Sequence, residues 1–193
     1  MDNKYKLIVD TFGKERFKFD EILKDYTSLE VGGPAKLFFI AFSVSELRKI
    51  IEMCRQLKLP FFIFGTGSKM MISDLGFNGL VVKNRTKNLE VISIKGKATR
   101  IGLGIEEALI EVDSGVSLTK FREFLKEQNL LSDQFLNMTG SVGGNLFTSI
   151  VLQSLCKSIK VLSSDDQVLE IAPDKLRLKQ HIILSAVFRI KAI

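Results

Sequence analysis

The stretch Phe61-Phe62-Ile63-Phe64-Gly65-Thr66-Gly67-Ser68-Lys69-Met70-Met71-Ile72-Ser73-Asp74 decides the reading of this chain: an apolar strand runs straight into two glycines, hydroxyl residues and a lysine. Glycine takes positive φ without a Cβ penalty, so at Gly65 and Gly67 successive N–H groups can converge into a nest for an anion. Ser68 adds a donor and Lys69 a charge. Each hydrogen bond to an ionised oxygen contributes roughly 1.5 to 3 kcal/mol, so three or four converging donors suffice to hold a pyrophosphate. The same residues also fit a tight turn between two strands. Two named motifs are excluded. Met70 stands where a dinucleotide fingerprint needs a third small residue, and the Gly-Lys-Ser/Thr of a Walker loop is missing.

Upstream, Ala35 to Ala41 reads as a strand, and Ser43 as the N-cap of a helix with Leu47, Ile50, Ile51, Cys54 and Leu57 on one face. Glu46, three residues after Ser43, completes a capping box, and Lys58-Leu59-Pro60 ends the helix. The result is a strand-helix-strand unit with the glycine loop at the carboxyl end of its second strand, where α/β sheets commonly bind ligands.

Downstream, Gly76-Phe77-Asn78-Gly79 turns the chain into a strand at Leu80 to Lys83, and the polar link Arg85-Thr86-Lys87-Asn88 marks a boundary between residues 1–86 and 87–193. Short strands are expected at Leu89 to Lys95, Thr99 to Leu103 and Ala108 to Asp113, forming an antiparallel sheet. Ser117 caps a second helix with Phe121, Phe124 and Leu125 inward, closed by Asn129. Ile159 to Leu162 and Gln167 to Ile171 form a hairpin, and Ile182 to Ile190 a long last strand. The fold class is α+β.

With 193 residues the chain buries about 70% of its unfolded surface and folds without staples. Hydrophobic residues make up 46% and charged residues 26%, and no apolar run approaches the roughly 20 residues of a membrane span. No signal-peptide core follows the N-terminus, which leads to the expectation of a cytoplasmic protein. Cys54 and Cys156 lack C-x-x-C spacing and are expected reduced and buried. His181, the sole histidine, has no clustered partners and reads as a strand-edge residue, so neither a metal site nor a Ser-His-Asp triad is expected. The net charge of +6 is scattered rather than gathered into a stripe, which argues against nucleic acid but favours an anionic ligand.

Two further segments have the same small-residue character: Asn137-Met138-Thr139-Gly140-Ser141-Val142-Gly143-Gly144-Asn145, and Tyr26-Thr27-Ser28-Leu29-Glu30-Val31-Gly32-Gly33-Pro34-Ala35. Each lets a backbone approach a flat or anionic ligand, and each also fits a tight packing contact. Together the three ordered elements resemble the flavin-dependent UDP-N-acetylenolpyruvoylglucosamine reductases (UDP-N-acetylmuramate dehydrogenases, MurB) of peptidoglycan biosynthesis. The matching residues are Thr27 with Gly32 to Ala35, Gly65 to Asp74, and Gly140 with Gly143 and Gly144, and the resemblance covers roughly Tyr26 to Ile190.

The resemblance implies a two-subdomain FAD-binding fold of the MurB/PCMH-like type, with the cofactor held between the subdomains. It also implies the site residues: Gly65, Thr66, Gly67, Ser68, Lys69 and Met70 at the pyrophosphate, Asp74 bracing the loop, and Thr139, Gly140, Ser141, Val142, Gly143 and Gly144 approaching the isoalloxazine and phosphates. The choice of FAD over FMN comes from this resemblance. Lys69 replaces a family asparagine, Thr139 a proline, and Asp113-Ser114-Gly115 departs from a glycine-rich turn, with a carboxylate that would repel phosphate.

The family's substrate tyrosine has no counterpart, and Arg177 is the single stand-in for its catalytic arginine. The sequence reads as a truncated member without the third, substrate domain that carries a serine acid and a glutamate. The expected function is therefore a flavoprotein that keeps FAD but not the complete reductase site, a flavin-dependent oxidoreductase using NAD(P)H or a protein electron partner. The alternative is a non-enzymatic flavin-binding or protein-interaction module, and self-association into a homo-oligomer is expected where apolar surface is left uncovered.

Overall fold

The computed structural model describes residues 3–99 and 102–192 and divides the chain into two compact units, Met1–Thr86 and Lys87–Ile193. In the first unit, helix α1 (Asn3–Phe12) leads into strand β1 (Phe17–Ile22), followed by β2 (Pro34–Ala41), helix α2 (Val44–Gln56), β3 (Phe61–Phe64) and β4 (Phe77–Asn84). The sheet order is β1-β2-β4-β3: β1 is antiparallel to β2, while β4 runs parallel to both β2 and β3. The strand placed at Leu80 to Lys83 begins three residues earlier, at Phe77, because Ala35 of β2 already pairs with Phe77.

Helix α2 forms where its polar and apolar residues demand it. Ser43 Oγ accepts the Glu46 N–H at 3.1 Å, and Leu47, Ile50, Ile51 and Cys54 are buried at helical spacing. Glu46 reaches back to the N–H of Phe42 at 2.8 Å and pairs with Arg16 at 2.8 Å, tying the helix start to the chain before β1. Its far end closes on Lys58 at φ 51° with Leu59 N–H bonded to Cys54 O, a left-handed cap. The register with β4 shifts between Ala35 and Leu37, and β2, interior to the sheet, is buried on both faces from Leu37 to Phe39. Phe39 meets Phe12 and Phe17 on one side, and Phe38 joins Leu23, Ala35, Phe64, Met70 and Val81 on the other.

The second unit is a five-stranded antiparallel sheet, order β5-β6-β9-β7-β8, from β5 (Leu89–Thr99), β6 (Gly102–Asp113), β7 (Cys156–Leu162), β8 (Val168–Ile171) and β9 (Ile182–Lys191). The strand expected at Thr99 to Leu103 includes residues 100 and 101, which lie outside the described residues; Thr99 ends β5 and Gly102 begins β6. Helices α3 (Leu118–Glu127), α4 (Val142–Leu146) and α5 (Ile150–Leu155) supply apolar residues to one core with the sheet. Phe121 is fully buried, with its ring centroid 5.1 Å from Phe135 and 5.2 Å from Phe188. Helix α3 starts on Ser117 and ends like α2, with Asn129 at φ 55° and Leu130 N–H bonded to Leu125 O.

Candidate functional site

Strands β3 and β4 are parallel, so the chain leaves both at the same end, and the segment from Gly65 begins there. Gly67 has φ 80°, and positive φ in residues 65–70 falls on it alone. Beside it, Thr66 and Ser68 hydroxyl oxygens lie 3.1 Å apart. Among the described residues, none accepts a hydrogen bond from the N–H groups of Gly65, Thr66, Gly67 or Ser68. These four consecutive donors, one on the buried Gly67 and the others at exposed or half-buried positions, are available to an outside acceptor. Lys69 is exposed, while Met70 turns inward to the core with Phe38 and Phe64 and donates its N–H to Gly67 O at 3.3 Å.

The loop is held from below by the third glycine segment. A Cβ on Gly67 would stand 1.9 Å from Tyr26 O, and one on Gly33 would stand 2.1 Å from Asp74 O, so both positions require glycine for backbone contact. Asp74 Oδ1 accepts the Gly32 N–H at 3.2 Å, and Ser73 O accepts the N–H groups of Gly33 and Gly76 at 3.0 and 2.8 Å. Asp74 thus braces two loops against each other. Thr27, buried at the start of this segment, bonds Val31 O at 2.9 Å and Lys24 O at 3.2 Å. Gly32 to Ala35 accordingly act on the loop through packing.

Tyr26 also carries a charged group that sequence reasoning missed. Its ring lies 4.6 Å from Phe38 and 6.4 Å from Phe64, and the Lys83 ammonium sits 4.6 Å from the Tyr26 centroid and 5.7 Å from that of Phe64. Burial, then the charges of Arg85 and Lys18, hold the Lys83 pKa below its ordinary value. Lys18 itself is satisfied: it pairs with Glu21 at 2.5 Å and donates to the Tyr26 hydroxyl at 2.9 Å, and that hydroxyl donates to Glu21.

In the second unit, Ser141 caps α4 with its Oγ on the Gly144 N–H at 3.3 Å. Val142 N–H goes to Val116 O at 2.8 Å and Gly143 N–H to Ser114 O at 2.9 Å. The amides of Val142, Gly143 and Gly144 are therefore spent inside the unit, so any approach of these residues to a ligand is not made through their N–H groups. Those of Thr139, Gly140 and Ser141 have no acceptor among the described residues, with Gly140 at φ 102° and Thr139 exposed. Asn145 Nδ2 holds the turn by donating to Thr139 O and Ser141 O, each at 2.9 Å.

The carboxylate expected to repel phosphate does other work. Asp113 is buried, and its Oδ2 accepts the Asn88 N–H at 2.9 Å, fastening the start of β5 to the end of β6. Burial pushes its pKa up, against the backbone bonds that lower it. Arg177 spends Nη1 on Asp174 O at 2.7 Å and Leu176 O at 2.9 Å, and His181, just before β9, accepts the Arg177 N–H on Nδ1 at 3.1 Å. Both serve a local turn. Both cysteines are free and buried, with pKa values pushed by burial to about 12, far from nucleophilic use at neutral pH. Among the described residues no cluster of three His, Cys, Asp or Glu is placed to hold a metal, and no helix is long and apolar enough to cross a membrane.

A family model described as FAD binding domain matches residues 35–171. UDP-N-acetylenolpyruvoylglucosamine reductase of Alkaliphilus metalliredigens (strain QYMF) is 26% identical over 183 residues, covering 92% of this chain and 56% of the relative. The protein of that name from Lachnoclostridium phytofermentans is 29% identical over 181 residues, 90% of this chain and 54% of the relative. The chain therefore spans about half the length of the curated relatives it matches. Among solved structures, UDP-N-acetylenolpyruvylglucosamine reductase (MurB) from Thermus caldophilus superposes with a TM-score of 0.60 at 19% identity, over 90% of this chain and 60% of that one. p-Cresol methylhydroxylase with substrate bound gives 0.67 at 11% identity, over 100% of this chain and 44% of the other. At such identities the likeness is one of fold, the two-subdomain α+β FAD-binding type.

Proposed function

This chain belongs to the FAD binding domain family, and from that premise we propose that it is a flavoprotein that grips the FAD pyrophosphate with the Gly65–Ser68 amides. The observation that carries this reading is the run of four N–H groups without a protein acceptor at the end of β3, flanked by the hydroxyls of Thr66 and Ser68. Donors preorganised on a rigid strand end lose little freedom when an anion arrives. Lys69, exposed beside them, adds a cation, Met70 fills the space beneath the loop, and Asp74 holds it through Gly32. Within the second unit, the Thr139, Gly140 and Ser141 amides, which have no acceptor among the described residues, are presented by the capped turn of Val142, Gly143 and Gly144 and are available to an anion.

FAD, when bound, supplies two-electron redox chemistry that no side chain of this protein offers. The electron donor in this reading is NAD(P)H; the family's substrate tyrosine has no counterpart here, so the reading keeps the cofactor but not the complete site of the reductases it resembles. A second reading, a flavin-binding module that works against a protein partner, is favoured by exposed apolar side chains beside the loop: Met71 is 78% and Leu75 93% exposed. The experiment is a titration of apo-protein with FAD followed by flavin fluorescence, then anaerobic addition of NADPH or NADH. Saturable binding that weakens in Ser68→Ala supports the cofactor site, and the absence of any flavin binding refutes it. Bleaching of the bound flavin by a nicotinamide nucleotide selects the oxidoreductase; its persistence selects the module.

A further inference from the structure

Lys83 lies on β4 in register with Phe64, the residue immediately before Gly65, and its ammonium rests on the faces of Tyr26 and Phe64. The carbonyl of the same Tyr26 abuts Gly67, so one residue carries the cation on its ring and the bottom of the loop on its backbone. No carboxylate among the described residues lies within ion-pair distance of Lys83. Glu21, the carboxylate bonded to the Tyr26 hydroxyl, is already shared with Lys18. A half-buried ammonium held only by ring quadrupoles, with Lys18 and Arg85 adding to the local positive potential, is destabilised until an anion arrives. The unspent amides of Gly65 to Ser68 attract a negative charge to that same strand end.

We propose that Lys83 is a binding residue for the phosphates of the flavin nucleotide, the fixed cation behind the Gly65–Ser68 loop. The inference rests on the FAD reading above and adds a residue that no motif marks. The packing of Lys83 against Tyr26 and Phe64 then has a use: the rings hold the ammonium in a low-dielectric place where one charge acts strongly on a phosphate.

The test compares wild type, Lys83→Met and Lys83→Arg for binding of FAD and of riboflavin, which lacks phosphate, together with the apo-protein thermal midpoint and the Lys83 pKa by NMR of the labelled side chain. Expected are an FAD affinity about 10- to 100-fold weaker in Lys83→Met, the factor that one charge-assisted contact carries. Riboflavin binding should not change, the salt dependence of FAD binding should fall, and Lys83→Arg should recover most of the loss. The apo midpoint of Lys83→Met should equal or exceed that of wild type, since a desolvated cation has been removed, and FAD should raise the Lys83 pKa in wild type. If wild type binds no FAD, the cofactor reading itself falls. If wild type binds FAD while Lys83→Met binds it equally well, or loses riboflavin in parallel with a lowered midpoint, the role of Lys83 alone is overturned.

Discussion

Gly67→Ala separates what the loop owes to the fold from what it owes to a ligand. Gly67 has φ 80°, a conformation that costs an L-residue about 1 to 2 kcal/mol. A Cβ there would stand 1.9 Å from Tyr26 O, a backbone atom that no side-chain rotation can move aside. Relieving such an overlap adds about 1 to 3 kcal/mol, so the variant should lose about 2 to 5 kcal/mol of stability. Because both contributions lie within the protein, the loss must appear without cofactor. The assay is urea denaturation of apo-protein followed by far-UV circular dichroism, with Ser68→Ala as a control that keeps the backbone and should stay within about 0.5 kcal/mol of wild type. A Gly67→Ala apo-protein within about 0.5 kcal/mol of wild type would refute the argument that Tyr26 dictates this glycine. Gly67 would then serve ligand approach rather than the fold, and a loss of FAD in Gly67 variants would report directly on the phosphate site.

Two other outcomes are expected. Ser43→Ala removes the acceptor for the Glu46 N–H and should lower stability by about 1 kcal/mol in the same denaturation assay, with Ser43→Thr close to wild type. Glu111, whose pKa is held below 4.5 first by the Ser185 hydroxyl and also by Lys160, against an upward push from burial, contributes stability that is complete above pH 4.5 and is lost as pH falls through its lower folded value. Ser185→Ala should therefore raise the Glu111 pKa in an NMR titration and flatten the acid limb of stability below pH 4.5; an unchanged titration would remove this coupling.

Much of the architecture was legible where a local rule operates without competition. The caps at Ser43 and Ser117, the inward faces of α2 and α3, the β7–β8 hairpin and the antiparallel character of the second unit all follow from spacing and turn chemistry. Helix α1 was legible but not read: Tyr5, Ile8 and Val9 are buried at helical spacing. Strand β1 carried only a short signal, the alternation Phe17-Lys18-Phe19-Asp20, which Glu21 breaks, and as an edge strand it buries Phe17 alone. The strand order was hidden as well, since hydrophobic runs in β2, β3 and β4 do not say which of them lies in the middle.

For the site, the sequence by itself determined the two glycine-rich segments, the strand that delivers the first of them and the family to which they belong, because glycine spacing and apolar runs are local properties. Tertiary structure decided which donors are free. The amides of Val142, Gly143 and Gly144 look available in the sequence and are spent on Val116, Ser114 and Ser141, whereas those of Gly65 to Ser68 have no acceptor among the described residues. It likewise turned Asp113 from an apparent obstacle into a fastening for Asn88, and brought Lys83 onto Tyr26, 57 positions away along the chain. Hydrogen-bond satisfaction and charge pairing are settled by groups remote in sequence, so no local pattern contains them.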